Sequence, residues 1–520
     1  MSTTHPSATT LPRLREVALF CLPALLLGLA LRIVLTSHMP LAFFTTDTNE
    51  FLGDELIGGS RTFLPKLIYG IPMRLNLPLL RFIAVLQHFF GVLLILASGM
   101  LAAQWLRTWR IWIIPFTCLI ALQPTLLWYE HFALPDSTFA LAIVLACLAG
   151  GKFYRERNLS SAVLLAMALI FLAGIRQEGF IFVFFGVALI VRVYWGDWRK
   201  LRVALPIALI LALVVVKLTK TNQGGYMLLT SLIQWAPDRL WSEPNLSPRV
   251  VQLRDSFREQ WPAFPDRHNH CRKIIVAQVQ DYLVTERNVR PKKRLNSEVD
   301  ALCKRLSIEI AVRNFWRLPG LAFNKFRAMH REPPSPDFGR EWAHEKHLDI
   351  LFGKRDNDPP KEHDLIKLYL ERDFSSREEL ANELPRLYRI LPDDWLSRFQ
   401  RQFYALEYGG TLLPTVAVGP QTLPGLPLLY LFTAAGFLLV FIREGRALSD
   451  KQLWLLMLLL QAFAVGLSAS LRSRYRLSFE PWFLLGVFCL LDSVVGLVRA
   501  SWSRNAGKKS PDTEPLTAQE

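Results

Sequence analysis

The stretch VALFCLPALLLGLALRIVLTS occupies residues 17–37 and decides the class of the whole chain. It is long enough to cross a bilayer core of about 30 Å, which takes about 20 apolar residues in a helix. A polar tail with Arg13 and Arg15 precedes it, but no small-residue cleavage site stands before His38. It therefore reads as a membrane helix rather than a secretory leader. Nine further apolar blocks follow, at about 84–105, 111–128, 135–151, 160–175, 179–195, 203–219, 425–442, 452–470 and 481–498. With 51% hydrophobic residues gathered into such blocks, a soluble globular chain is excluded. The expected fold is an all-α polytopic membrane protein with about ten transmembrane helices.

Lys and Arg in the short loops set the orientation. The N-terminal tail and the loops near 107–110, 152–157, 192–202 and 443–451, with the tail after Arg499, are rich in them. The alternate loops are poorer, except for Arg472, Arg474 and Arg476. The alternation places both termini in the cytoplasm. It divides the chain into a seven-helix core module at 1–219 with a first outer loop at 38–83, an extracytoplasmic insert at 220–424, three C-terminal membrane helices at 425–499, and a disordered cytoplasmic tail at 500–520. The expected location is a bacterial inner or plasma membrane, with the insert and the active site outside.

The formal net charge is +16, yet the insert carries 32 Lys/Arg against 27 Asp/Glu. Most of the positive excess thus belongs to cytoplasmic loops and follows from topology, so no nucleic-acid partner is implied. RPKKR at 290–294 reads as a solvated helix end. The insert is patterned as helices over 247–261, 271–288, 297–318 and 376–391, with Asn296 or Ser297 capping the third and Ser376 the fourth. Cys271 and Cys303 are the two cysteines of the insert, where an oxidising compartment permits a disulfide; their spacing does not decide it. His268 and His270 beside Cys271 are separated by two positions and do not share a helix face, which speaks against a metal site there.

Four charged motifs stand at outer helix ends. PLAFFTTDTNEFLGDELIGG at 40–59 gathers Asp47, Glu50, Asp54 and Glu55. YEHFALPDS at 129–137 carries Glu130, His131 and Asp136. GIRQEGF at 174–180 carries Arg176 and Glu178, and RSRYRLSFEP at 472–481 carries the arginine triplet. Each has a plain reading as solvated surface, and Arg176 with Glu178 could simply pair. The triplet is harder to dismiss because it opposes the charge bias, and charge near the membrane commonly marks function. Together these charges suggest an anionic lipid-linked substrate and a base acting on its partner.

The order of these motifs resembles the GT-C superfamily of membrane glycosyltransferases, specifically bacterial relatives of protein mannosyltransferases and aminoarabinose transferases. The resemblance runs through TTDTNEFLGDELIGG, ALQPTLLWYEHFALPDSTFALAIVLA, LAGIRQEGFIFV and SRYRLSFEPWFLL, and covers about 1–200 and 425–500. The insert has no counterpart. The resemblance implies a hexosyl- or pentosyltransferase of the GT-C type that moves a sugar from a polyprenyl-phosphate donor to an acceptor hydroxyl, with inversion. It implies a catalytic acid residue in the first outer loop, where Asp47, Glu50 and Asp54 are the candidates and Asp47 lies nearest the membrane. Asp136 matches the acidic residue opening the fourth helix, and Glu130 joins it as an acceptor or orienting group. Arg474 and Tyr475 match a late Arg–Tyr pair; with Arg476, and with Arg176 as a further candidate, they would hold the donor phosphate. A planar guanidinium fork suits phosphate oxygens. The loop carboxylates leave a divalent cation, Mg²⁺ or Mn²⁺, open as a cofactor. The partners implied are the lipid-linked sugar, an acceptor glycan, lipid or protein, and membrane lipids. A lipid or polysaccharide transporter or flippase, and an O-antigen ligase or polymerase, are the rival readings.

Overall fold

The computed structural model describes residues 14–42, 62–219, 292–328, 428–445, 448–468 and 477–507, with scattered shorter pieces between 228 and 427. Its helices account for all ten apolar blocks. In chain order they are α1 (Leu14–His38), α2 (Phe63–Arg74), α3 (Leu79–Trp105), α4 (Trp109–Leu122), α5 (Pro124–Tyr129), α6 (Asp136–Glu156), α7 (Leu159–Ile175), α8 (Ile181–Tyr194) and α9 (Trp198–Thr219). The insert contributes α10 (Lys292–Arg313) and α11 (Leu318–Ala328), and the chain closes with α12 (Leu428–Arg443), α13 (Asp450–Ser468) and α14 (Glu480–Gly507). Among the described residues, six helical segments have the length and composition to cross a membrane: α1, α3, α6, α8 with its preceding 3-10 turn, α13 and α14. Three more, α4, α7 and α12, are shorter and apolar, and α9 is a further apolar helix of 22 residues. The protein is an integral membrane protein with a helical architecture.

Several boundaries differ from the sequence reading. The block at 111–128 is two helices, because Pro124 stands at the first position of α5 and α4 stops before it. Helix α3 starts at Leu79, several residues before its apolar block, because its first backbone N–H groups find a carboxylate described below. Helix α10 begins at Lys292, so Asn296 and Ser297 lie within it rather than capping it. Ser376 does cap: its Oγ accepts from Glu379 N at 3.0 Å, and the Glu379 carboxylate reaches back to Ser375 N at 2.8 Å. Helix α14 runs to Gly507, past the start of the expected tail. Two small antiparallel pairs join the helices of the insert, Thr411–Leu413 with Leu426–Pro427 and Val416–Val418 with Gln421–Leu423. Cys303 is buried in α10 as a free thiol; Cys271 lies outside the described residues.

Helix α6 is the central post. Its membrane window is 83% buried against 28% for α1, and it packs on α3, α7 and α13. Its length is lined with Ala140, Ala142, Ala146 and Ala149, all buried, and small residues let membrane helices approach closely. The main core runs from Ala24 in α1 through α3, α4 and α6 to Trp454 in α13 and Trp482 in α14. Leu22, Leu26, Leu29 and Ile33 on α1, and Val203, Ile207, Ile210 and Leu213 on α9, are exposed. In water this apolar surface would be unfavourable; in lipid it is the expected exterior. At the Glu156 end of α6, Asp492 of α14 accepts from the backbone N–H of Arg107 and of Thr108, each at 2.9 Å. This satisfies orphan donors at the start of α4 and joins the two halves of the module.

Candidate functional site

At the opposite end of α6, which the charge bias puts outside, a second apolar cluster forms. It contains Leu31, Leu35 and Met39 from α1 and its exit, Tyr69 from α2, Leu79 and Ile83 from α3, and Trp128 and Phe132 around Glu130. Phe374 of the insert belongs to the same cluster. The neighbouring Asp373 accepts from Leu80 N at 3.0 Å and Arg81 N at 3.2 Å, which is why α3 can begin at Leu79. Burial raises the Asp373 carboxyl above its ordinary range, and these backbone donors oppose the rise.

Within this end the charged residues sort into two groups. The first is fully buried and built on Glu130, just past the end of α5. Arg32 of α1 grips its carboxylate with both arms, Nε to Oε2 at 2.8 Å and Nη2 to Oε1 at 2.5 Å, while Nη1 donates to Gly28 O at 3.0 Å. His88 of α3 adds Nδ1 to Oε2 at 2.9 Å, and its Nε2 meets His131 Nδ1 at 3.0 Å. The carboxylate occupies the space a side chain at position 91 would take: a Cβ on Gly91 would overlap its oxygens. An isolated buried charge is costly, and a bidentate guanidinium with a third donor offsets that cost. His131, in the turn before α6, is held neutral: burial, then the neighbouring His88, pushes its pKa down to about 3, against the backbone of Met39 and Leu41.

The second group is less deeply buried, with Arg176 and Glu178 partly exposed and Asp136 buried. Arg176, at the end of α7, contacts the Asp136 carboxylate through Nη1 and grips Glu178 through Nε at 3.2 Å and Nη2 at 3.0 Å. Its guanidinium carbon also stands 5.6 Å from the centre of the Phe139 ring. Asp136 occupies the first turn of α6, where the positive end of the helix dipole favours a carboxylate. The arginine is therefore engaged by two acids, and its pairing with Glu178 is as the plain reading of GIRQEGF has it.

Gln87, beside His88, couples the groups. Its Nε2 donates to Phe132 O at 2.5 Å and to Tyr69 Oη at 3.2 Å, and its Oε1 accepts from Ser137 Oγ, next to Asp136, at 2.8 Å. On the far side, Gln123 Nε2 donates to Glu480 Oε2 at 3.0 Å, tying the end of α4 to the start of α14.

Asp47, Glu50, Asp54, Arg474, Tyr475 and Arg476 lie outside the described residues, as do His268, His270 and Cys271. Their flanks are described. Ala42 N bonds Leu80 O at 3.2 Å before the acidic loop, and Thr62 Oγ1 donates to Ile175 O, beside Arg176, at 2.7 Å after it. Leu477 and Glu480, just past the arginine triplet, are buried. Among the described residues no three His, Cys, Asp or Glu side chains are placed to hold a metal ion. Sequence reasoning missed Arg32, His88 and Gln87. The available signal was an ionisable residue alone inside an apolar block, which in lipid requires a partner.

No family model matches the chain, and no curated protein matches it. Among solved structures, the chain is similar to the crystal structure of ArnT from Cupriavidus metallidurans bound to undecaprenyl phosphate. The two are 13% identical, with 88% of this chain and 77% of that one covered, at a TM-score of 0.27. That superposition is too loose to transfer any residue from one to the other.

Proposed function

We propose that the protein is a membrane glycosyltransferase that moves a sugar from a polyprenyl-phosphate donor to an acceptor hydroxyl at the outer face, with inversion at the anomeric carbon. The observation that carries this reading is the placement of Asp136 and Arg176. They form a mostly buried ion pair at the Asp136 end of the central helix, and the chain leaving the acidic loop is tied beside it by the Thr62–Ile175 bond. The ordered resemblance to the GT-C superfamily supports it independently. In this reading Asp47, with Glu50 and Asp54 as alternatives, takes the proton of the acceptor hydroxyl as it attacks. Arg474 and Arg476 stabilise the departing phosphate. Tyr475 lies between them. Asp136 and Glu178 hold Arg176 in position, where it is a further candidate for the donor phosphate. Glu130, wholly buried, acts through Arg32 and His88 as a positioning residue.

Incubating the purified protein with a sugar-loaded polyprenyl phosphate and an acceptor should release free polyprenyl phosphate. Movement of intact donor across a vesicle bilayer without release would favour the transporter, a reading that the ionisable Arg32 and His88 inside membrane helices also suit.

A further inference from the structure

The segment from Ile308 in α10 to Phe323 in α11 presents an apolar face that, among the described residues, the helices do not cover. Ile308, Val312, Phe315, Trp316 and Phe323 follow at intervals of four, three, one and seven residues, and all five are exposed, Phe315 at 66% and Trp316 at 58%. The other face of the same segment is already used: Cys303, Leu306, Ile310, Leu321 and Ala322 are buried. A helix apolar on both faces needs two apolar neighbours, and among the described residues the helices supply one.

The position of α11 identifies the second. It lies across the outer ends of the last three membrane helices. Gly466, near the end of α13, has no Cβ because one would meet the backbone of Ala322. Phe326 packs its ring on Tyr430 of α12 at 5.9 Å and on Phe483 of α14 at 6.3 Å. Phe323, one turn from Phe326 and 45% exposed, therefore stands at the level where these helices leave the hydrocarbon. Lys304, Arg305 and Arg313 are exposed along the same segment. Trp and Phe beside basic residues at that depth are the composition of a helix lying in a membrane interface.

We propose that this segment, from Ile308 to Phe323, lies in the headgroup region of the outer leaflet with its apolar face in lipid, so that the insert rests on the membrane through α10 and α11. The consequence is geometric. The insert is held at fixed height over the ends of α12, α13 and α14.

The test is nitroxide labelling at Val312→Cys and, separately, Trp316→Cys in the full chain carrying Cys271→Ser. The remaining insert cysteine, Cys303, is fully buried, which shields it from the label, and burial pushes its thiol up to about 12. In vesicles of phosphatidylethanolamine and phosphatidylglycerol, power saturation should give collision with oxygen exceeding collision with a water-soluble nickel chelate by about threefold or more at both sites. Lys304→Cys in the same background should show the reverse. Nickel-dominated relaxation at 312 and 316 would place the face in water and overturn the proposal. Low accessibility to both reagents would place it against protein, a second copy or another chain, and would overturn it equally.

Discussion

Replacing Glu130 with glutamine removes one charge from a site where Arg32 and His88 both bond it. The Arg32 guanidinium, 2% exposed, then has no anion. Two unit charges about 4 Å apart interact by about 4 kcal/mol at the effective dielectric typical of proteins. Removing one partner of a buried pair costs about 3–5 kcal/mol, because the other charge stays desolvated. Glu130→Gln should therefore destabilise the folded protein by about 3–5 kcal/mol, and Arg32→Met should cost a similar amount by stranding the carboxylate. The double variant removes both charges and leaves His88 a neutral amide oxygen to bond. It should be more stable than the sum of the singles by at least about 2 kcal/mol. Equilibrium unfolding in mixed micelles on the four proteins of the cycle gives the coupling directly. Strict additivity, or single variants within about 0.5 kcal/mol of the parent, would refute the claim that the pair is buried and mutually dependent.

Three further outcomes follow from the geometry, and a fourth from the proposed reaction. Gly91→Ala puts a methyl group into the Glu130 carboxylate and should cost about 1–3 kcal/mol, a loss that should persist with Glu130→Gln, whose amide fills the same space. His131 is neutral when folded, with its pKa pushed down to about 3 against an ordinary 6.5, so the unfolded chain binds the extra proton between those values. Stability should accordingly fall as pH drops below 6.5, by about 2 kcal/mol at pH 5, and His131→Phe should remove that slope in thermal melts across pH. Asp492→Ala leaves the Arg107 and Thr108 backbone donors unpaired and should lower stability by about 1–3 kcal/mol, measurable in the same micelle assay, without changing donor binding. For the proposed reaction, Asp47→Asn should reduce turnover about 10²- to 10⁴-fold with donor binding retained. If Asp54→Asn does this instead, the base is Asp54.

The membrane helices were legible along the chain because apolar blocks and loop charges are local properties. Each block folds to satisfy its own backbone in lipid, whatever its neighbours. The Ser376 cap was legible for the same reason, since its partner is three residues away. Asp136 and Arg176 could be placed at one end of the bundle by counting helices, although not in contact. Only the tertiary structure decided what the charges are for. Arg32 and Glu130 meet across 98 residues and Asp373 reaches Leu80 across 293, and no periodicity encodes either pairing. The structure also made α6 the central post and, among the described residues, left one apolar face of α10 and α11 exposed. Those outcomes follow from which helices pack together, and that depends on shape and small-residue contacts between distant segments, whereas hydropathy fixes only which segments enter the membrane.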